Sequence, residues 1–280
     1  MACMIRMVVT DLDGTLLNDN RMVSNTDLQT LVRLGDMGIT RVIATGRSPY
    51  SASGVIPADF PIDYFVFSSG AGTIRWGDKQ IVNVRHMTAI EVQHVVDELI
   101  EHDVDFMIHD PIPNNHSFHY HATGNPNPDF ERRIAIYSKF CEPYIPGINF
   151  PSGATQILAI LPNNPDQFNY LGAKFPNLKV IRATSPLDGE SIWMEIFPAN
   201  VSKASGIEWL CDNVTGCSPL EVIALGNDFN DLDMLGFTPN SFVVSNAPEE
   251  LKKRYSVVPS NNDSGFSAMV SLFPELCSDP

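Results

Sequence analysis

A series of short apolar runs, each ending abruptly in small or polar residues, constrains this chain most. Residues 5–10 run into Asp11-Leu12-Asp13-Gly14-Thr15, residues 39–44 into Thr45-Gly46-Arg47, and residues 64–67 into Ser68-Ser69-Gly70. Further on, residues 222–225 run into Gly226-Asn227-Asp228 and residues 242–244 into Ser245-Asn246-Ala247. A near-continuous apolar run of this length suits a strand buried on both faces, and such strands pair in parallel sheets. Helical patterns lie between them. Residues 24–38 open with Ser24-x-x-Asp27, repeat Leu28, Leu31 and Val32, and stop at Gly38; residues 202–214 repeat Ile207, Leu210 and Val214. This alternation predicts an α/β core with a doubly wound, Rossmann-like parallel sheet. In such a sheet the working residues gather at the carboxyl ends of the strands, where every polar cluster above falls.

Residues 83–186 read differently, because no strand there ends in such a cluster. Helices are expected over residues 88–100, with Thr88 and Glu91 as a capping box, 129–140 and 165–173. Strands are expected over 104–109, 117–121, 156–161 and 178–181. The pattern predicts an α+β domain at residues 83–186, inserted into a core made of residues 1–82 and 187–280.

The balance of charge narrows the partners. With 33 acidic and 18 basic side chains the formal charge is −15, which excludes the broad basic face that nucleic acid or an anionic membrane needs. An anionic substrate must then be met by a metal or a local cation. No apolar stretch approaches the ~20 residues of a membrane span, and nothing near Met1 is shaped like a signal peptide. Cys3, Cys141, Cys211, Cys217 and Cys277 are scattered, without a C-x-x-C pair, so reduced thiols in a cytoplasmic protein are expected.

Asp11 and Asp13 lie two apart at a strand end, where an extended backbone points both the same way. Two carboxylates so close repel unless a cation lies between them or one keeps a proton. The pair suits a divalent metal, or a nucleophile beside a general acid; as a bare D-x-D it also suits a capping turn. Gly14-Thr15 permits a tight turn with backbone N–H groups open to an anion. Lys203 follows Ser202, a natural N-cap, and so falls in the first turn of a helix, where the dipole disfavours a cation. His109, His116, His119 and His121 cluster in one segment and read as a zinc site, a substrate-facing loop or a polar hairpin.

Taken in order, these motifs resemble the haloacid dehalogenase-like superfamily. Asp-Leu-Asp-Gly-Thr after an amino-terminal strand is similar to its first motif, Thr45 in Ala-Thr-Gly-Arg to its second, and Lys203 to its third. Residues 226–235, Gly-Asn-Asp-Phe-Asn-Asp-Leu-Asp-Met-Leu, resemble its fourth. The position of the insertion, together with Asn246-Ala247-Pro248-Glu249 and residues 261–265, resembles the Cof-type phosphatase branch. The resemblance implies a magnesium-dependent phosphatase acting on a small phosphorylated metabolite, most simply a sugar phosphate, through an aspartyl-phosphate. It implies Asp11 as nucleophile, Asp13 as general acid and base, and Thr45 and Lys203 as holders of the phosphoryl oxygens. Gly46, Arg47 and Asn230 are expected to contact substrate. Asp11, Asp13 (through its carbonyl), Asp231 and either Asn227 or Asp228 are expected to hold the metal. The inserted domain, by the same resemblance, is a cap that selects the leaving group. Two departures stand out: Asn227 occupies a position where the pattern has Asp, and Ser69 one where the branch commonly has Asn. A phosphosugar mutase or a weakly catalytic phospho-ligand binding protein are the alternatives.

Overall fold

A computed structural model of the protein describes residues 4–277; Cys3 lies outside the described residues. The strands, in chain order, are β1 (Met7–Thr10), β2 (Thr40–Ala44), β3 (Tyr64–Phe67), β4 (Gly72–Arg75), β5 (Gln80–Val84), β6 (Phe106–His109) and β7 (Phe118–His121). They continue as β8 (Cys141–Pro143), β9 (Gln156–Leu161), β10 (Leu178–Thr184), β11 (Ile192–Pro198), β12 (Val222–Gly226), β13 (Asn240–Val244) and β14 (Ser256–Val258). The chain divides into two units. One comprises the chain up to Asn83 together with the chain from Ser202 onward, and the other is Val84–Val201.

The first unit holds an eight-stranded sheet in the order β14-β13-β12-β1-β2-β3-β4-β5. Its strands are parallel from β14 through β3, and β4 returns antiparallel to β3. All four residues of β1 are buried, as expected of a strand covered on both faces. From β1 the chain steps outward to β2 and β3, and later resumes on the other side of β1 with β12 and β13. The crevice at the carboxyl end of β1 is thus the point where the winding reverses, the place where open α/β sheets bind ligands. Helix Asn25–Asp36 begins at Ser24, whose side chain accepts the Asp27 N–H, and the chain turns out of it at Gly38 with φ +74°. Helix Lys203–Leu210 packs Ile207 and Leu210 against Met7, Val9, Val42, Ala44, Val66 and Ala224. Gly206 lets it approach closely, because a Cβ there would lie 2.5 Å from a Val66 methyl.

The second unit is a six-stranded sheet in the order β10-β11-β9-β6-β7-β8, antiparallel throughout except for β7 with β8. Val92, Val95, Val96 and Leu99 of helix Ala89–Glu101 cover Phe106, Ile108, Ile157 and Ala159. On the other face Phe130, from helix Pro128–Ile136, joins Met107, Phe118, Leu158 and Trp193. The capping box of Thr88 and Glu91 is present.

Several sequence-based boundaries move. β11, which the sequence places in the core, pairs over its whole length with β10 and belongs to the second unit, so the boundary lies after Val201 and not after residue 186. The helix expected over 129–140 ends at Ile136. β4, β5, β8 and β14 are additions, mostly short edge or return strands with weak apolar patterns. Among the described residues no helix is long and apolar enough to cross a membrane.

Candidate active site

β1, β2 and β12 end side by side, and each delivers one part of the expected constellation. The Asp11 N–H donates to the Leu225 carbonyl at 2.9 Å, which fixes the first residue beyond β1 against β12. Asp11 is buried, and its Oδ1 accepts a hydrogen bond from Lys203 Nζ at 2.6 Å. Lys203 donates equally to Asp231 Oδ1, also at 2.6 Å. Lys203 and Asp231 are each 0% exposed, so two carboxylates and one ammonium share a dry site. Lys203 is the first residue of its helix, with Ser202 as the capping residue. The two acids thus explain a cation at the wrong end of a helix dipole.

Electrostatics follow from that count. Burial pushes the Asp11 carboxyl up, Lys203 opposes, and Asp231 and Asp13 add to the rise, leaving it at about 7 instead of 3.8. Burial alone would lower the Lys203 ammonium, but Asp11 and Asp231 override it and hold it above its ordinary value.

Asp231 is the residue whose task differs most from expectation. Its Oδ2 accepts the backbone N–H groups of Asn227 at 2.8 Å and Asp228 at 3.1 Å, while Oδ1 takes Lys203. Both oxygens accept hydrogen bonds, so the side chain organises the loop and orients the lysine, tasks beyond the metal binding expected of it. Gly226 makes room for it: a Cβ there would lie 2.6 Å from Asp231 Oδ2. Asp228 starts the 3-10 turn Phe229–Asp231, in which Asn230 also lies. Asn227 instead lies against the first motif. A Cβ on Gly14, whose φ is +69°, would be 2.5 Å from the Asn227 carboxamide. Among the described residues no three Asp, Glu, His or Cys side chains converge as a metal set.

Asp13 is gripped by Arg47. Nε donates to Oδ2 and Nη2 to Oδ1, both at 2.7 Å, while Nη1 donates to the Ser51 carbonyl. Arg47, expected at the substrate, is therefore the partner of the expected general acid. Thr45 is buried, and its Oγ1 accepts the Arg47 N–H at 3.1 Å, which leaves the hydroxyl proton to be donated elsewhere. Gly46 lies in the bend between them. Ser69 sits at φ +53°, a conformation that favours Asn over Ser, and its N–H donates to the Thr45 carbonyl. Gly70 follows at φ +104°, where a Cβ would strike the Ser202 carbonyl.

One residue carries a task that motif matching does not reveal. Asn246 Nδ2 donates to the Gly14 carbonyl at 2.8 Å, and its Oδ1 accepts the Asn261 N–H at 3.1 Å. The carboxyl-terminal asparagines therefore clamp the Asp13-Gly14 turn. The histidines of the second unit disperse: His109 Nδ1 meets the Asn115 carbonyl, and burial pushes the ring down to about 3. His116, His119 and His121 pack on Phe140, Phe150 and Phe106 respectively.

Comparison with known proteins bears on the family and the fold. A putative phosphatase of Haemophilus influenzae is 26% identical over 279 residues, covering 97% of this chain and 100% of its own. The 5-amino-6-(5-phospho-D-ribitylamino)uracil phosphatase YwtE of Bacillus subtilis is 24% identical over 276 residues, covering 92% of this chain and 94% of its own. Among solved structures, a phosphatase of the haloalkanoate superfamily from Bacteroides thetaiotaomicron superposes with a TM-score of 0.77 at 22% identity, covering 97% of this chain and 96% of its own. A subclass IIB sugar phosphatase of the same superfamily gives 0.74 at 17% identity, covering 96% and 99%. The sequence pattern of the haloacid dehalogenase-like hydrolases matches residues 8–270, nearly the whole chain, and the chain belongs to that family.

Proposed function

We propose that this hydrolase is a magnesium-dependent phosphatase that cleaves the ester of a small phosphorylated metabolite, a sugar phosphate by class, through an aspartyl-phosphate on Asp11. The observation that carries the reading is the buried Asp11–Lys203–Asp231 cluster with Asp13 held two residues away. The names of the relatives support the phosphatase part: two are phosphatases, and one names a phospho-ribityl compound. The sugar class draws on that name and on the sugar phosphatase that shares the fold.

In this reading an Asp11 oxygen forms the bond to phosphorus as the ester P–O bond breaks, and Asp13 passes a proton to the leaving oxygen. Water then attacks the aspartyl-phosphate, giving its proton to Asp13 and releasing phosphate. Lys203 keeps the Asp11 carboxylate oriented and contributes positive charge, while the Thr45 hydroxyl donates to a phosphoryl oxygen. Gly46, in the bend after β2, and Asn230, in the turn after β12, are assigned to substrate.

The residues present fit a divalent cation. Among the described residues the carboxylates of Asp11, Asp13 and Asp231 are paired with two cations, Lys203 and Arg47, and the Asp11 carboxyl is raised by burial first and then by Asp231 and Asp13, so an added positive charge would favour its ionised form. Asp11, the Asp13 carbonyl and the Asn227 carboxamide would hold magnesium; Asp231, with both oxygens engaged, and Asp228, which starts the turn, are left out of our set. Bound there, the metal supplies positive charge to the phosphoryl oxygens.

The test is phosphate release from a panel of phosphorylated metabolites, with magnesium and with a chelator, for the wild type and Asp11→Asn. We expect turnover of at least one sugar phosphate that needs magnesium and vanishes in the variant. Undiminished turnover by Asp11→Asn, or by the chelated enzyme, would overturn the assignment.

A further inference from the structure

Two thiols that the chemistry above does not use face each other beneath helix Lys203–Leu210. Cys211 Sγ and Cys217 Sγ are 3.1 Å apart, closer than two unbonded sulfurs ordinarily rest, and both residues are buried. Thr215 Oγ1 lies 2.9 Å from Cys217 Sγ. Between the cysteines the backbone forms the π-turn Cys211–Thr215, closed by Gly216 at φ +62°. The π-turn departs from regular helical bonding at a helix terminus, and helix ends open locally more readily than their middles.

We propose that Cys211 and Cys217 are an oxidation site that closes to an intramolecular disulfide. The sulfurs need to approach by only about 1 Å to reach the ~2.05 Å of the bond. Cys217 is the attacking sulfur. Its Sγ has both Cys211 Sγ and Thr215 Oγ1 within hydrogen-bond reach, whereas burial pushes the Cys211 thiol up. With a low-molecular-weight disulfide as oxidant, the Cys217 thiolate attacks one of its sulfurs and expels the other as a thiolate. Cys211 then attacks Cys217 of the mixed disulfide and expels the second. Two protein thiols lose two electrons, the small disulfide gains them, and the two protons pass to the two thiols released.

The bond would lie in the segment that joins helix Lys203–Leu210, which presents Lys203, to β12, whose end leads to Asp231. It would tie the end of the lysine's helix to the segment that leads into the strand before its partner. The inference is independent of the substrate.

The test incubates the full-length protein with oxidised glutathione, then blocks free thiols and maps peptides by mass. We expect a loss of about 2 Da, a cross-linked peptide pair containing Cys211 and Cys217, and recovery of both thiols with a reductant. Cys217→Ser should show no such loss, and Cys211→Ser should stop at a glutathione adduct on Cys217. Adducts on both cysteines without a cross-link would overturn the proposal. So would unreacted Cys211 and Cys217 under conditions that fully modify the exposed Cys277.

Discussion

Replacing Asp11 by Asn should change how the stability of the metal-free protein depends on pH. In the folded chain the Asp11 carboxyl lies at about 7, against 3.8 in the unfolded chain, because burial, then Asp231 and Asp13, outweigh Lys203. Between those values the folded state keeps a proton that the unfolded state has lost. More protons bound in the folded state means that stability falls as pH rises, here from about 4 to about 7. At about 1.4 kcal/mol per unit, the whole window is worth on the order of 4 kcal/mol, and the part above pH 5 roughly 3 kcal/mol. The Asn variant has no such proton, and its amide oxygen still accepts from Lys203. Urea unfolding at about pH 5 and about pH 8, in chelator, measures the difference. The wild type should lose roughly 3 kcal/mol more than Asp11→Asn between the two pH values, and magnesium at pH 8 should restore much of that loss in the wild type alone. Parallel losses in the two proteins would refute the reasoning, since they would mean that Asp11 titrates alike in the folded and unfolded chains.

Asp231→Asn should destabilise by about 3–5 kcal/mol, because its NH2 must face a donor, either Lys203 or the two backbone N–H groups, and one of the two charges on Lys203 is lost; thermal unfolding reads this. Gly14→Ala should cost at least about 1–2 kcal/mol for its left-handed backbone and weaken magnesium binding by pushing the Asn227 carboxamide aside, as calorimetric titration would record. Asn227→Asp should lower the half-saturating magnesium concentration roughly tenfold, about 1.4 kcal/mol, whereas Asp228→Asn should leave it in place; activity titrations separate the two. Arg47→Lys should slow alkyl phosphates more than an aryl phosphate, because losing the two-point grip on Asp13 matters most where the leaving oxygen needs a proton.

Much of the core was legible because its signal is local. A strand covered on both faces must be apolar along its length, so β1, β2, β3, β12 and β13 declare themselves within a few residues. Capping is equally local, and Ser24 with Asp27 and Thr88 with Glu91 form the bonds that their spacing predicts. What the sequence hides is pairing. β11 is wholly buried, like a strand of the parallel core, and only its antiparallel register with β9 and β10 assigns it to the second unit. β14, with two of its three residues exposed, carries little apolar signal at all.

The candidate site was legible to the same depth. Spacing brought Asp11, Thr45 and the 226–231 loop to one sheet edge, since strand ends are fixed by strand periods, whereas Lys203, at a helix start, joined them only through the resemblance of its motif. It did not say which oxygen of which acid is spent on what. An acid five residues beyond a strand end reads equally as a metal ligand or as a loop organiser, and it is the two N–H groups on Asp231 Oδ2 and the ammonium on Oδ1 that show the second task. The same accounting gives Asn227 a physical sense. With Asp231 already a fixed charge beside Asp11, a further carboxylate at position 227 would raise the Asp11 carboxyl still more in the metal-free state. A neutral carboxamide there limits that repulsion, at the expense of attraction for the metal. Among the described residues of a chain of formal charge −15, the one fully buried lysine thus sits between two acids, and on the proposed chemistry weaker metal attraction accompanies an easier nucleophile.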